Sequence, residues 1–386
     1  MKTADVLSPK IYNEAERIGR HALPARVLEV FQPVTYASVG YPVHVDDISE
    51  LWKYADAMQE RRTEWIINDL LGGLTEAEFA HAEEINKAVC ALSREHFGRR
   101  MVARSSLLRA INTLRHILHL CGDQRPAILE VGPGSGYLGA MLLREGFPYV
   151  ATEVTQAFYL YQHMLWDKLV PGGVTQLVTD PAQLSALEAP EPGRALHIPW
   201  WHFYDHDSLH TTLRVGLVTC NHVLCEMHPR ALHYLLQLTR TLMDNSAGPR
   251  IVAFENYGSQ INVPAWYVNS RFYRYGYAVS HHDDRFTVYA EPSADRPSAQ
   301  FPNVNMRNLE HANAVRRFGE QTVGTIWEPQ AFYTPQNALS AHILEGRAAL
   351  QPVHDLTAFQ NMARKLAGPN AELNEDERFW TLIDAT

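Results

Sequence analysis

AILEVGPGSGYLGAMLLREGFPYVATE, residues 127 to 153, is the stretch from which the rest of the chain is read. It opens on an apolar run, Ala127-Ile128-Leu129-Glu130-Val131, of the length of a buried parallel strand. A turn with glycine at 132, 134 and 136 follows, and then a stretch from Tyr137 to Arg144 with Leu138, Met141 and Leu142 at helical spacing. Gly146 can end that helix in the left-handed cap conformation. A second strand, Pro148 to Thr152, then ends on Glu153. Strand, glycine turn, helix, strand and acid make half of a doubly wound nucleotide-binding fold.

Each part has a chemical reason. A side chain at Gly132 or Gly134 would hold the backbone away from a ligand, and Glu153 can accept hydrogen bonds from two ribose hydroxyls. The dinucleotide fingerprint G-x-G-x-x-G needs glycine at 137, where this chain has Tyr137. The spacing here is instead G-x-G-x-G, with the acid Glu130 two residues before the first glycine.

E-V-G-P-G-S-G, Glu130 to Gly136, with Glu153 as a second acid, resembles motifs I and II of the class I S-adenosylmethionine-dependent methyltransferases. The resemblance covers roughly Leu120 to Pro292. It implies an α/β fold with a seven-stranded, mostly parallel, doubly wound Rossmann-like sheet whose last pair of strands adds an antiparallel edge. It also implies S-adenosyl-L-methionine as co-substrate, held by Glu130, Gly132, Gly134, Ser135, Gly136 and Glu153. The rival readings are a Rossmann-like domain for another nucleotide and a methyltransferase fold that retains binding without turnover.

Composition narrows the partners. The chain has 386 residues, 46% hydrophobic and 20% charged, with a formal net charge of −9. That is an ordinary globular balance, and the acidic sign argues against nucleic acid as a main partner. The N-terminus lacks the apolar core of a signal peptide, and no apolar run reaches membrane-span length. Cys90, Cys121, Cys220 and Cys225 show neither a disulfide framework nor a C-x-x-C pair. The expectation is a cytoplasmic protein with reduced thiols and no membrane partner.

Along the chain, residues 1–45, with prolines at 9, 24, 33 and 42, read as irregular. Helices are expected over 48–59, 63–71, from a capping box at Thr75-Glu76-Ala77-Glu78 toward Phe97, and over 105–120. Residues 1–120 are therefore read as a helical domain serving as a lid or in a homodimer. Residues 121–295 are the cofactor domain and 296–386 a C-terminal helical extension. Thr155 to Leu169 is an aromatic helix, Pro171 to Gly193 an inserted connection, and Ala195 to Trp201 the third strand. Val215 to Cys220 and Arg250 to Glu255 are the fourth and fifth strands, with a helix from Pro229 to Met243 between them. Gly276 to Ser280 and Phe286 to Ala290 form a closing hairpin around His281-His282-Asp283-Asp284. Further helices are expected near Val315 and over 335–349 and 355–366.

In the resemblance the residues after the third strand lie beside the adenine, so Trp200 and Trp201 are cofactor candidates, stacking and core packing being equal readings. The fourth-strand loop is the richest in chemistry. It offers Asn221 for the cofactor side, and His222, Glu226 and His228 within eight residues. His222 is the first choice of general base because imidazole titrates near neutrality. Glu226 could orient it or act itself, and Glu255, ending strand five, could face the same cleft. Plant-type small-molecule O-methyltransferases carry a histidine and an acid in this loop. Here Cys225-Glu226 stands at that place, so their mechanism does not carry over directly.

Two histidine- and aspartate-rich runs, His202-Asp205-His206-Asp207-His210 and His281 to Asp284, offer divalent-metal ligands without a specific spacing. Magnesium prefers oxygen, so a metal is not the favoured reading. The chain thus reads as a methyltransferase acting on oxygen or nitrogen of a small molecule, of natural-product or sugar type. Methyl transfer to carbon and a non-catalytic binding protein are the alternatives.

Overall fold

The computed structural model describes residues 7–33, 37, 40–56, 71–179, 189–204, 213–244, 250–258, 260–283, 285–290 and 338–368. The expected helices at 63–71 and near Val315 lie outside the described residues, as do Asp205, His206, Asp207, His210 and Asp284. The chain divides into two compact units, Met1–Val215 with Leu350–Thr386, and Gly216–Ala349. Among the described residues eight strands form a mostly parallel sheet.

The first unit begins with α1 (Pro9–Ala22) and α2 (Ala25–Val30). Residues 1–45 are thus not irregular throughout. Ser8 caps α1 by accepting from the Ile11 amide at 3.3 Å, and Pro9 fills the first turn, where a missing N–H costs nothing. A 3-10 helix, Ile48–Asp56, is followed by α3 (Glu76–His96) and α4 (Ser105–Cys121). The capping box is formed: the Glu78 amide donates to Thr75 Oγ1 at 3.3 Å, and the Thr75 amide to Glu78 Oε2 at 2.9 Å. The same Glu78 carboxylate accepts Nε and Nη2 of Arg115, at 2.7 and 2.8 Å, which ties α3 to α4 through a buried ion pair.

Next come β1 (Ile128–Val131), α5 (Tyr137–Arg144), β2 (Tyr149–Glu153), α6 (Gln156–Leu169), β3 (Val174–Gln176), β4 (Ala195–Pro199) and the single turn α7 (Trp200–Phe203). These strands lie in the order β3-β4-β2-β1, all parallel. β3 was not expected. It occupies the supposed connection after Pro171 and brings the strands to eight rather than seven. Only three residues long and half-exposed, it has no apolar run to announce it. The third strand stops at Pro199, so both tryptophans sit on α7. Gly139 is where α5 meets β2: an added Cβ would lie 2.5 Å from the Tyr149 ring. The unit is completed by α11 (Leu356–Ala367), whose Ala363 and Ala367 pack on Cys90 and Val102.

The second unit holds β5 (Leu217–Thr219), a 3-10 turn at Leu224–Glu226, α8 (Pro229–Asp244), β6 (Ile251–Phe254), α9 (Ala265–Arg274), β7 (Ala278–His282), β8 (Thr287–Ala290) and α10 (Ala338–Ala349). The order is β5-β6-β8-β7, with β5 and β6 parallel and β8 antiparallel to both its neighbours. The hairpin is therefore as expected, except that His281 and His282 belong to β7 and not to the turn. α9, opened by Pro264, was missed. Among the described residues no helix is long and apolar enough to cross a membrane, and all four cysteines are free and buried.

Candidate functional site

Parallel register brings the ligand edge of the first unit together. Val131 lies opposite Thr152, and Glu153 opposite Pro199. Hence the glycine turn, Glu153 and the start of α7 all leave the carboxyl ends of adjacent strands, where open α/β sheets bind ligands. The Gly132 amide donates to the Thr152 carbonyl at 2.9 Å, tying the turn to β2.

Gly132, Gly134 and Gly136 have φ of 71°, 57° and 76°, a left-handed backbone that favours glycine. The last two differ in what surrounds them. A Cβ on Gly136 would lie 2.9 Å from Gln162 Cγ and 3.1 Å from Trp166 Nε1. A Cβ on Gly134 would meet nothing within 4 Å. The turn is therefore packed on its protein side and open at Gly134.

Two residues of α6 hold this turn: Trp166, expected as a member of the aromatic helix, and Gln162, which was not singled out. Trp166 Nε1 donates to the Gly136 carbonyl at 2.8 Å, and Gln162 Nε2 to the Gly134 carbonyl at 2.7 Å. Gln162 Nε2 also approaches Glu153 Oε2 at 3.3 Å, while its Oε1 lies 3.0 Å from Nε2 of the fully buried His197. With the amide so oriented, His197 carries its proton on Nε2. Burial holds its pKa well below the usual imidazole range, so it is a neutral strut. Gln162 and Trp166, four residues apart on a helix that follows the acid, were the signal available.

Glu153 is buried and accepts the amides of Val154 and Thr155 on Oε1 at 2.8 and 2.9 Å. Burial pushes its pKa up to about 7, against the opposing pull of hydrogen bonds from Thr155, Gln162, Val154 and Gly134. A carboxylate has about four acceptor positions, and four donors address this one; the Gln162 contact, at 3.3 Å, is a long one that a hydroxyl donor could replace. The other candidates on this edge are engaged in the fold. Glu130 accepts from Tyr149 Oη at 2.6 Å, and Ser135 Oγ donates to the Tyr54 carbonyl at 2.8 Å. Trp200 Nε1 donates to Glu16 Oε1 at 2.9 Å, and Trp201 is pressed against Gly19 of α1. Both tryptophans are buried, so packing against α1 accounts for them.

In the second unit, the loop after β5 meets the end of β6. Asn221 Oδ1 accepts the Glu255 amide at 3.0 Å, and the His222 amide donates to the Asn256 carbonyl at 2.9 Å. His222 has φ of 61°, and a Cβ on Gly258 would fall 2.2 Å from its carbonyl oxygen. The imidazole faces Glu255: His222 Nε2 lies 3.7 Å from Glu255 Oε2. The pair is at ion-pair range, too long for a hydrogen bond. Glu255 is buried, whereas the His222 side chain is 30% exposed. The structure thus brings His222 and Glu255 together. Glu226 contributes its carbonyl to Asn262 Nδ2 at 2.5 Å, and exposed His228 accepts the Arg230 amide on Nδ1 at 3.2 Å, capping α8.

Another constellation in this unit mimics catalytic geometry. His281 Nδ1 lies 2.8 Å from Ser340 Oγ and its Nε2 3.0 Å from Asp283 Oδ2. Ser340 is fully buried, and Arg347 pairs with Asp283, so these groups pin α10 to β7. Among the described residues no group of three or more histidines, cysteines or acids is arranged to hold a metal.

No family model matches this sequence, and no curated protein matches it. Solved structures resemble it weakly. One is the magnesium protoporphyrin IX methyltransferase of Synechocystis PCC 6803 with bound S-adenosylhomocysteine, at 9% identity and a TM-score of 0.33, over 48% of this chain and 86% of that one. Another is a TehB-like methyltransferase of Corynebacterium glutamicum, at 12% and 0.31, over 47% and 88%. A third is a glycopeptide N-methyltransferase complexed with sinefungin, at 12% and 0.30, over 47% and 85%. Likeness at that level decides nothing by itself. The chain's own topology defines the class: parallel strands, a G-x-G-x-G turn after β1, an acid ending β2 and an antiparallel closing hairpin make the class I methyltransferase fold.

Proposed function

We propose that this chain is an S-adenosylmethionine-dependent methyltransferase that alkylates an oxygen or nitrogen of a small molecule. The observation that carries the reading is the asymmetry of the glycine turn, packed at Gly136 and open at Gly134, beside a buried acid whose contact with Gln162 is long. A ligand with a polar amino-acid end and a ribose fits that edge. Gly132 and Gly134 would let it approach the backbone, and Glu153 would accept from its sugar hydroxyls.

The co-substrate, when bound, supplies a methyl group on a positively charged sulfur. The chain must then fix the acceptor in line, exclude water and remove a proton where the acceptor arrives protonated. His222 is the group for the last task. With Nε2 facing Glu255, Nδ1 is the nitrogen that takes the acceptor's proton, and the Glu255 carboxylate stabilises the imidazolium that results.

Incubation of the full chain with cofactor labelled in its methyl group and a small-molecule extract tests the reading. Label in a small product, attached to oxygen or nitrogen, is expected. Label on carbon would move the reaction to the other methyl-transfer class, and no transfer with retained cofactor binding would make the chain a binding protein.

A further inference from the structure

α1 carries one polar atom that the fold leaves unused. Tyr12 is fully buried, with its ring 5.2 Å from that of Tyr159 and 5.0 Å from that of Trp201. Among the described residues its buried hydroxyl has no hydrogen-bond partner. Buried polar groups are almost always paired, because an unmet hydroxyl in apolar surroundings is costly. The rest of α1 is firmly partnered around it. Asn13 Oδ1 accepts from Gln156 Nε2 at 2.8 Å, and Gln156 lies three residues beyond Glu153. Glu16, one turn on, takes Trp200 Nε1 on one oxygen and faces His44 Nε2 at 2.7 Å on the other. These contacts fix Tyr12 over the carboxyl ends of β2 and β4. Burial first, then the neighbouring Glu16, Tyr159 and Glu153, push the Tyr12 phenol up, so it keeps its proton.

A ribose hydroxyl held by a carboxylate has donated its hydrogen and still has lone pairs to satisfy. A neutral phenol, which keeps its proton, is suited to that duty. We propose that the Tyr12 hydroxyl is a nucleoside-binding group, donating to a ribose oxygen of the same ligand that Glu153 holds, so that α1 forms one wall of the nucleoside subsite. The inference rests on the cofactor reading above and adds to it a residue outside the glycine turn and its acid.

The test is calorimetric titration of the full chain, wild type and Tyr12→Phe, with S-adenosylhomocysteine and with 5′-methylthioadenosine, which keeps the nucleoside but lacks the amino-acid end. Each unliganded protein is also melted. Loss of one hydrogen bond should weaken both ligands by a similar factor, about five- to tenfold. The unliganded melting temperature should stay level or rise, since the variant removes an unpaired buried group. Affinities within twofold of wild type would overturn the proposal. So would weakening confined to S-adenosylhomocysteine, or weakening that comes with a lowered melting temperature, which marks a packing role. Wild-type protein that binds neither ligand would overturn the cofactor reading and this one with it.

Discussion

The turn after β1 and the loop after β5 are built on opposite principles. In the turn, side chains from α6 take up the backbone carbonyls, and a neutral buried histidine backs the amide that does so. Little there is free to move or to change charge except Glu153. In the loop, His222 sits in a left-handed conformation and faces an acid from beyond hydrogen-bond distance. Among the described residues its buried Nε2 has no hydrogen-bond partner. Preorganised polar groups favour binding, whereas an imidazole with a spare nitrogen and a nearby carboxylate favours proton transfer. Under the proposed function the turn would serve binding and the loop proton transfer.

Substitution should separate the two. Asparagine tolerates a left-handed backbone but offers no basic nitrogen. His222→Asn should therefore lower turnover by about 10²- to 10⁴-fold while leaving S-adenosylhomocysteine affinity and the melting temperature nearly unchanged. Unaltered turnover would remove the base from this loop. In the turn the effect should be on stability. Gly136→Ala forces a Cβ against Gln162 and Trp166 on a backbone with φ of 76°. Strain and overpacking together should cost about 2–3 kcal/mol, read by urea denaturation.

The smallest effect concerns pH. Glu153 has its pKa raised by burial from 4.5 to about 7. In the intermediate range the folded protein therefore holds a proton that the unfolded chain has lost. The associated stability is complete below about pH 4.5, erodes as pH rises, and is gone above about pH 7. Glu153→Gln should abolish that portion of the slope, visible as a difference between the two stability curves from pH 5 to 8. Ribose hydroxyls donate to the ionised form, so wild-type affinity for S-adenosylhomocysteine should rise severalfold from pH 6 to 8, with proton release on binding. A pH-independent affinity would mean that Glu153 does not contact the sugar in its charged form.

Local chemistry made much of this legible. The glycine turn, α5 and the strands on either side are within a residue or two of where the pattern puts them, because strand, turn and helix signals agree over 27 consecutive residues. The Thr75 capping box is likewise a local device. What stayed hidden depends on tertiary neighbours. Four prolines obscured α1, although Ser8-Pro9 is an adequate helix start, with Tyr12, Glu16 and Gly19 on one face. That face is explained only by Trp200 and Trp201, nearly two hundred residues away. Trp166 looked like a member of an aromatic core stripe and Gln162 went unremarked, because nothing local shows that their polar ends meet backbone carbonyls. His222 and Glu255 could be nominated separately, but their pairing depends on how the loop after β5 meets the end of β6.

Calorimetric titration of S-adenosylhomocysteine into wild-type and Gly134→Val protein tests the central claim most directly, with circular dichroism to confirm that both are folded. The space beside Gly134 is open, so the valine methyls would occupy the ligand's place without striking protein. Binding to wild type and its loss in the variant are predicted. Equal affinity in the two folded proteins, or a wild type that binds a nicotinamide dinucleotide instead, would contradict the account.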